Sequence, residues 1–446
     1  MTSRAQSRFG RLAPSLVFSA FLFVTACATE TTRQPAPIST GTPGQTRSTP
    51  DRVQQPEQPD RLTLDERRSL HAGGFDVDAN GMPLPEEGAF TPEFLADRDL
   101  VRAGVLLPFS HPNAGVRAEA EGMLAGIEMA MFDHAHDNFV LMPKDTAGSR
   151  SKAVEMAKQA QSQGADFFLG PLFGDNIAGL NETRSLAGLP IIGFSNDRGV
   201  AGGNTWLASI SPEEEVAALV EYATSQGFRQ FAYFGPQSAL GNRIESALQF
   251  EASQHGASVV ASGFYPDGSN SPTSEAQYLA RSINSAEQYG GPIAVLIPES
   301  GTQLRKVAPL LAYYGIRRSV QLVGLSGWND ESVWREPSLK GGWFVSPPQE
   351  DLDAFATRYQ RIYGRAPTRL AAQAYDAAAL TMQLAADGEL ERDEILGGDG
   401  FVGLNGLFRF TSDGNAERKL SIYEVTQDGN SSLLNRGAET FDPGIG

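Results

Sequence analysis

An α/β protein with two parallel sheets, each flanked by helices, is what this sequence predicts for most of its length, and three observations predict it. From Leu100 onward, short apolar runs alternate with stretches whose apolar residues fall at helical spacing, the rhythm of βαβ units. The apolar runs lack in–out alternation, so they read as strands buried on both faces. The rhythm breaks near residues 206–212 and then restarts, which divides the strands between two lobes.

In the first lobe, the strand Val105-Leu106-Leu107 runs into the loop Phe109-Ser110-His111 and a helix over 116–132 that lines up Met123, Leu124, Ile127 and Met131. Phe139-Val140-Leu141-Met142 is a second strand, ending in Asp145-Thr146. Ser149 then suits the cap of a helix over 149–163, with Ala153, Met156, Ala157 and Ala160 on one face. Ser149-Arg150-Ser151-Lys152 matches a Ser-x-x-Lys motif of penicillin-recognising enzymes, but no Lys-Thr-Gly accompanies it, so capping is the expectation. Phe167-Phe168-Leu169 is stopped by Gly170-Pro171, where the chain must turn and loses a ladder donor. Leu172-Phe173-Gly174 follows, then a helix near Asp175. Ile191-Ile192-Gly193 leads into Ser195-Asn196-Asp197.

The second lobe repeats the scheme. Helices over 213–226, 240–255, beyond Thr273 and over 304–314 precede strands over 230–234, 258–265, 293–297 and 320–324. A strand over 343–345 enters Ser346-Pro347-Pro348, a hinge returning the chain to the first lobe, where helices over 351–363 and 370–387 pack. Residues 406–410, a turn at 412–415 and residues 420–425 read as a β-hairpin. The expected divisions are 100–211 for lobe 1, 212–346 for lobe 2, 347–418 for the return and 419–435 for a tail on lobe 2.

In open α/β sheets, ligands bind beyond the carboxyl ends of the strands. The cleft expected there takes Phe109, Ser110, His111, Asp145, Thr146, Leu172, Phe173, Gly174, Ser195, Asn196 and Asp197 from lobe 1. Lobe 2 would face them with Pro236, Gln237, Glu299, Ser300, Ser326 and Trp328. No Gly-x-Ser-x-Gly, His-Glu-x-x-His or phosphate-loop pattern occurs, so binding is expected, with no catalysis and no cofactor. His134 and His136 stand two residues apart and would diverge on a helix, which argues against a metal site. A net charge of −17 argues against nucleic acid as a partner.

The N-terminus is of another kind. Arg4, Arg8 and Arg11 precede an apolar run over 16–23 that is short for a membrane span, the order of a secretion signal. The signal occupies 1–26 and closes on Val24-Thr25-Ala26-Cys27, which resembles the lipobox of bacterial lipoproteins. Cys27 is the single cysteine, so no disulfide forms within the chain, and lipidation is its expected fate. Ala28 after the cysteine points to the periplasmic face of the outer membrane in a Gram-negative cell. Residues 27–60 are rich in Pro, Thr, Gln and Ser and predict a disordered tether; 61–99 are a poorly structured lead-in. Asp76, Asp78, Asn80, Gly81 and Glu87 fit a calcium-loop pattern, but Gly73-Gly74, Pro83 and Pro85 deny it the flanking helices.

Over about residues 100–430 the chain resembles the type I periplasmic binding proteins, leucine/isoleucine/valine-binding branch. The resemblance is carried by Gly104-Val105-Leu106-Leu107-Pro108, Gly170-Pro171-Leu172, Tyr363-Gly364-Arg365-Ala366-Pro367, Ala374-Tyr375-Asp376-Ala377 and Gly406-Leu407-Phe408-Arg409-Phe410. It implies a two-lobed Venus-flytrap fold with three crossovers and hinge-bending closure around a small polar ligand. Two departures matter. Where the family places a hydroxyl residue to hold an α-carboxylate, this chain has Phe173-Gly174, and the loop expected to carry an acid reads Leu325-Ser326-Gly327-Trp328. The lipobox and tether are similar to those of lipoprotein activators of penicillin-binding proteins, which use this fold to dock a peptidoglycan synthase. The alternative the resemblance implies is the receptor of an ABC permease for amino acids or similar solutes.

Overall fold

The computed structural model describes residues 100–441, apart from 136–137, 317–318 and 386–389. Cys27, the signal, the tether and the calcium-like loop lie outside the described residues, as does His136 of the histidine pair.

Two large sheets organise the chain. The first has five strands in the order β2-β1-β3-β4-β5, all parallel: β1 Val101–Leu107, β2 Phe139–Asp145, β3 Phe167–Leu169, β4 Ile191–Gly193 and β5 Thr205–Leu207. The stretch that reads as a break in the sequence thus contains a short edge strand. Phe167, Leu169 and Ile192 are fully buried among Val105, Met123 and Ile127, as continuous apolar runs require in a sheet covered on both faces. Gly170 adopts φ +100°, and a β-carbon there would lie 2.4 Å from the Leu106 carbonyl oxygen, so the turn that ends β3 needs glycine. Ser149 does stand at the cap of the helix Arg150–Ser162, but its hydroxyl meets that of Ser151 and caps no backbone amide.

The second sheet has seven strands in the order β15-β14-β10-β9-β8-β6-β7. Its parallel part comprises β6 Gln230–Gln237, β7 Ser258–Pro266, β8 Ile293–Leu296, β9 Gln321–Gly324 and β10 Trp343–Ser346. After β10 the helices Gln349–Tyr363 and Ala371–Leu384 return to the first sheet, where Ala374, Ala377 and Met382 join its core.

The expected hairpin is corrected by a third, antiparallel sheet. Its strands are β11 Phe401–Gly403, β12 Gly406–Phe410 and β13 Ala416–Lys419. The tight turn at Gly414 brings Ala416 opposite Phe410, and the five residues of β12 are spent by Lys419. Residues beyond it find another partner: β14 Ser421–Val425 runs antiparallel to β10 and carries β15 Ser431–Asn435 at the edge. The chain therefore crosses between the sheets three times, before the helix Pro212–Ser225, after β10, and between β13 and β14.

Candidate functional site

The crossings are tied by buried charge. Arg418 of β13 has its side chain 1% exposed, with Nε 3.8 Å from Glu214 Oε1, while an Nη donates to the Ala208 carbonyl at 3.1 Å. Glu214 also closes a capping box with Ser211 at the start of Pro212–Ser225. Asp376 accepts from the amides of Leu404 and Asn405 and from the Asn405 side chain at 2.7–2.9 Å. Burial pushes the pKa of Glu214 and Asp376 up, with Arg418 opposing it in both.

Beside these crossings a cleft of about 370 Å³ opens between the lobes. Of the residues expected from sequence, Asn196, Ser300 and Ser326 line it. The others that line it with polar groups are Glu215, Asn329, Ser346, Arg369, Gln373 and Asn405. Ile210, Leu240, Ile244, Leu325 and Leu352 give it apolar walls.

The remaining lobe 1 residues gather at the carboxyl ends of β1 to β4, outside that lining. Asp145 Oδ1 accepts from the Ser110 amide at 3.1 Å and the Ala147 amide at 2.9 Å. Burial works against its ionisation, but the hydrogen bonds from Ser110 and from the Ala147 and Phe109 amides outweigh it and hold the carboxyl below its ordinary range. The His111 and Phe173 rings lie 5.6 Å apart, Phe109 and Leu172 pack on the lobe 1 core, and Thr146 is wholly buried. Ser195 Oγ accepts the Asp197 amide at 3.0 Å. A β-carbon on Gly174 would stand 3.1 Å from that oxygen and 3.4 Å from Asp197, so the position has little room for a hydroxyl side chain.

In lobe 2, two expectations give way to packing roles. Trp328 is fully buried, and its indole donates to the Ile297 carbonyl at 3.0 Å, so it belongs to the core. Glu299 accepts the Tyr265 hydroxyl at 2.6 Å, burial pushes its pKa up, and it lies outside the cleft lining. Pro236 and Gln237 end β6 outside the lining.

Glu215 is the acid that faces the cleft. It is 8% exposed, and its Oε1 accepts the Ser326 amide at 3.2 Å. Burial pushes its pKa up to about 7 against the pull of Ser326 and Arg369. Sequence reasoning missed it because Glu213-Glu214-Glu215 follows Ser211-Pro212 and reads as the acidic first turn of a helix. No group of His, Cys, Asp or Glu among the described residues is placed to hold a metal ion, and no described helix is long and apolar enough to cross a membrane.

A family model described as a periplasmic binding protein matches residues 100–430. The penicillin-binding protein activator LpoA of Vibrio cholerae is 27% identical over 215 residues, covering 46% of this chain and 33% of the relative. The match thus spans about a third of that protein's length. Among solved structures, a putative branched-chain amino acid ABC transporter protein from Rhodospirillum rubrum aligns with TM-score 0.64 and 16% identity, covering 75% of this chain and 100% of the other. The C-domain of LpoA from Haemophilus influenzae, described as a regulator of PBP1A, aligns with TM-score 0.60 and 18% identity over 75% of this chain and 99% of the other. At such identities the two structures establish a shared fold.

Proposed function

This chain belongs to the periplasmic binding protein family, and we propose that within it the protein is a lipid-anchored activator of a peptidoglycan synthase. One observation carries the reading: the curated relatives named in sequence comparison are penicillin-binding protein activators, at 27% identity over 215 residues. The fold alone favours neither an activator nor a solute receptor, since it matches structures of both. The lipobox at Cys27 supports the same reading, because an anchor in the outer membrane suits a partner that works on the cell wall between the membranes. The small space at Gly174 also disfavours a carboxylate-holding hydroxyl of the receptor kind.

The test is to cross-link the full chain and its Cys27→Ser variant in intact envelopes and recover any bifunctional peptidoglycan synthase. The wild type should fractionate with the outer membrane and capture the synthase, and the variant should lose both. Absence of the synthase from the wild-type captures, with an inner-membrane permease recovered instead, would move the protein to the solute receptors.

A further inference from the structure

A groove of about 450 Å³ lies beside the cleft and shares no lining residue with it. One wall is the helix Ala239–Gln254 of the second lobe; the other is Arg198, which opens the short turn Arg198–Val200 of the first lobe. Ile244, Leu248 and Ala252 hold the helix to the core of its lobe, so the opposite face should be polar throughout. It is not: Phe250, in the groove, stands 60% exposed. Covering a ring of that size takes apolar surface out of water and so favours association. The charges in the groove are unequally engaged. Glu213 and Arg243 hold each other, and Arg243 also donates to the Asn196 carbonyl. Among the described residues no hydrogen bond or ion pair holds the Arg198 guanidinium, although its charge acts on Glu214, Glu251 and Asp413. Glu251 lines the same groove and repels any acid set beside it, so a carboxylate entering the groove belongs on the first-lobe side, at Arg198.

We propose that this groove seats the peptidoglycan synthase, taking a segment that lays an apolar side chain on Phe250 and a carboxylate on Arg198. The inference rests on the activator function proposed above and adds where the partner binds. A charge-assisted pair at one end and a covered ring at the other are the kind of contacts that carry most of an interface's energy. A segment lying there touches both lobes, the second along its helix and the first at Arg198.

The test measures the affinity of the purified full chain for the bifunctional synthase that the wild type captures. Phe250→Ser and Arg198→Glu should each weaken binding about tenfold or more. Arg198→Lys keeps the charge and should lose less than Arg198→Glu. Phe132→Ser removes a phenylalanine 77% exposed on the helix Ala114–His134 of the first lobe and should bind as the wild type does. Melting temperatures check that the variants fold. A second measurement does not depend on them: a photo-cross-linking residue in place of Ser246, in the groove, should join the chain to the synthase, and one in place of Phe132 should not. Undiminished binding by the folded variants, an equal loss in Phe132→Ser, or no cross-link from position 246 would overturn the inference and leave the activator reading standing. If the wild type captures no synthase at all, that reading fails and this one falls with it. A dimer of the chain that Phe250→Ser dissociates, with synthase binding unchanged, would reassign the groove to a second copy.

Discussion

Glu215 holds its proton to a higher pH in the folded chain, about 7, than the ordinary 4.5 of an unfolded glutamate. A group with a raised folded pKa contributes stability that is fully present below 4.5 and lost as pH climbs through 7. Arg369 and Ser326 oppose the shift and the neighbouring Glu214 adds to it. A rise from 4.5 to about 7 corresponds to about 3 kcal/mol. The wild type should therefore lose stability relative to Glu215→Gln between pH 5 and pH 8, since glutamine cannot ionise. Chemical denaturation at both pH values measures it, and an unchanged gap between the two proteins would contradict this account. The same residue shows where reading the site from sequence stops. Asn196, Ser300 and Ser326 were legible because they follow strand ends. Glu213, Glu214 and Glu215 are three consecutive acids that point to Arg243, to Arg418 and to the cleft. Helical geometry says they diverge, but only tertiary packing says which one faces the cavity.

At the scale of elements, the contact between the helices Ala114–His134 and Ala371–Leu384 anchors the return of the chain to the first lobe. Their close approach depends on small residues. A β-carbon on Gly126 would lie 2.2 Å from the Ala371 carbonyl oxygen, a backbone atom that cannot swing aside. Gly126→Ala should cost about 1–3 kcal/mol, the usual toll of overpacking. Gly188→Ala, with nothing within 4 Å of its β-carbon, should stay near neutral. Thermal melts of both variants compare them, and equal melting temperatures would mean the helices part at no cost. The alternation of helix and strand was legible because apolar runs and helical spacing are local signals. The failures were long-range. The strand β5 is only three residues, and Ser421–Val425 joins β10, some 75 residues earlier in sequence, after β12 has exhausted its length.

The two lobes also meet at the rim of the cleft, beside the first crossing. Arg243, on the second-lobe helix Ala239–Gln254, grips Glu213 with Nε at 3.0 Å and an Nη at 2.9 Å. That grip fixes the guanidinium plane, and the same Nη donates at 2.8 Å to the carbonyl of Asn196, in the first-lobe loop after β4. A fork held by one lobe and donating to the other works as a latch, because parting the lobes must strip a carbonyl from a charged donor. Arg418, Glu214 and Asp376 sit where the chain crosses, and Arg243, held by the neighbouring Glu213, adds a donor that reaches the other lobe. Removing the latch should then change shape more than stability. Arg243→Ala should shift the lobes toward an open arrangement, raising the radius of gyration in small-angle scattering, and should leave the melting temperature within a few degrees of wild type. Arg243→Lys retains the charge without the two-pronged grip and should fall between the two. Superimposable scattering from all three proteins would show that the crossings alone set the angle between the lobes.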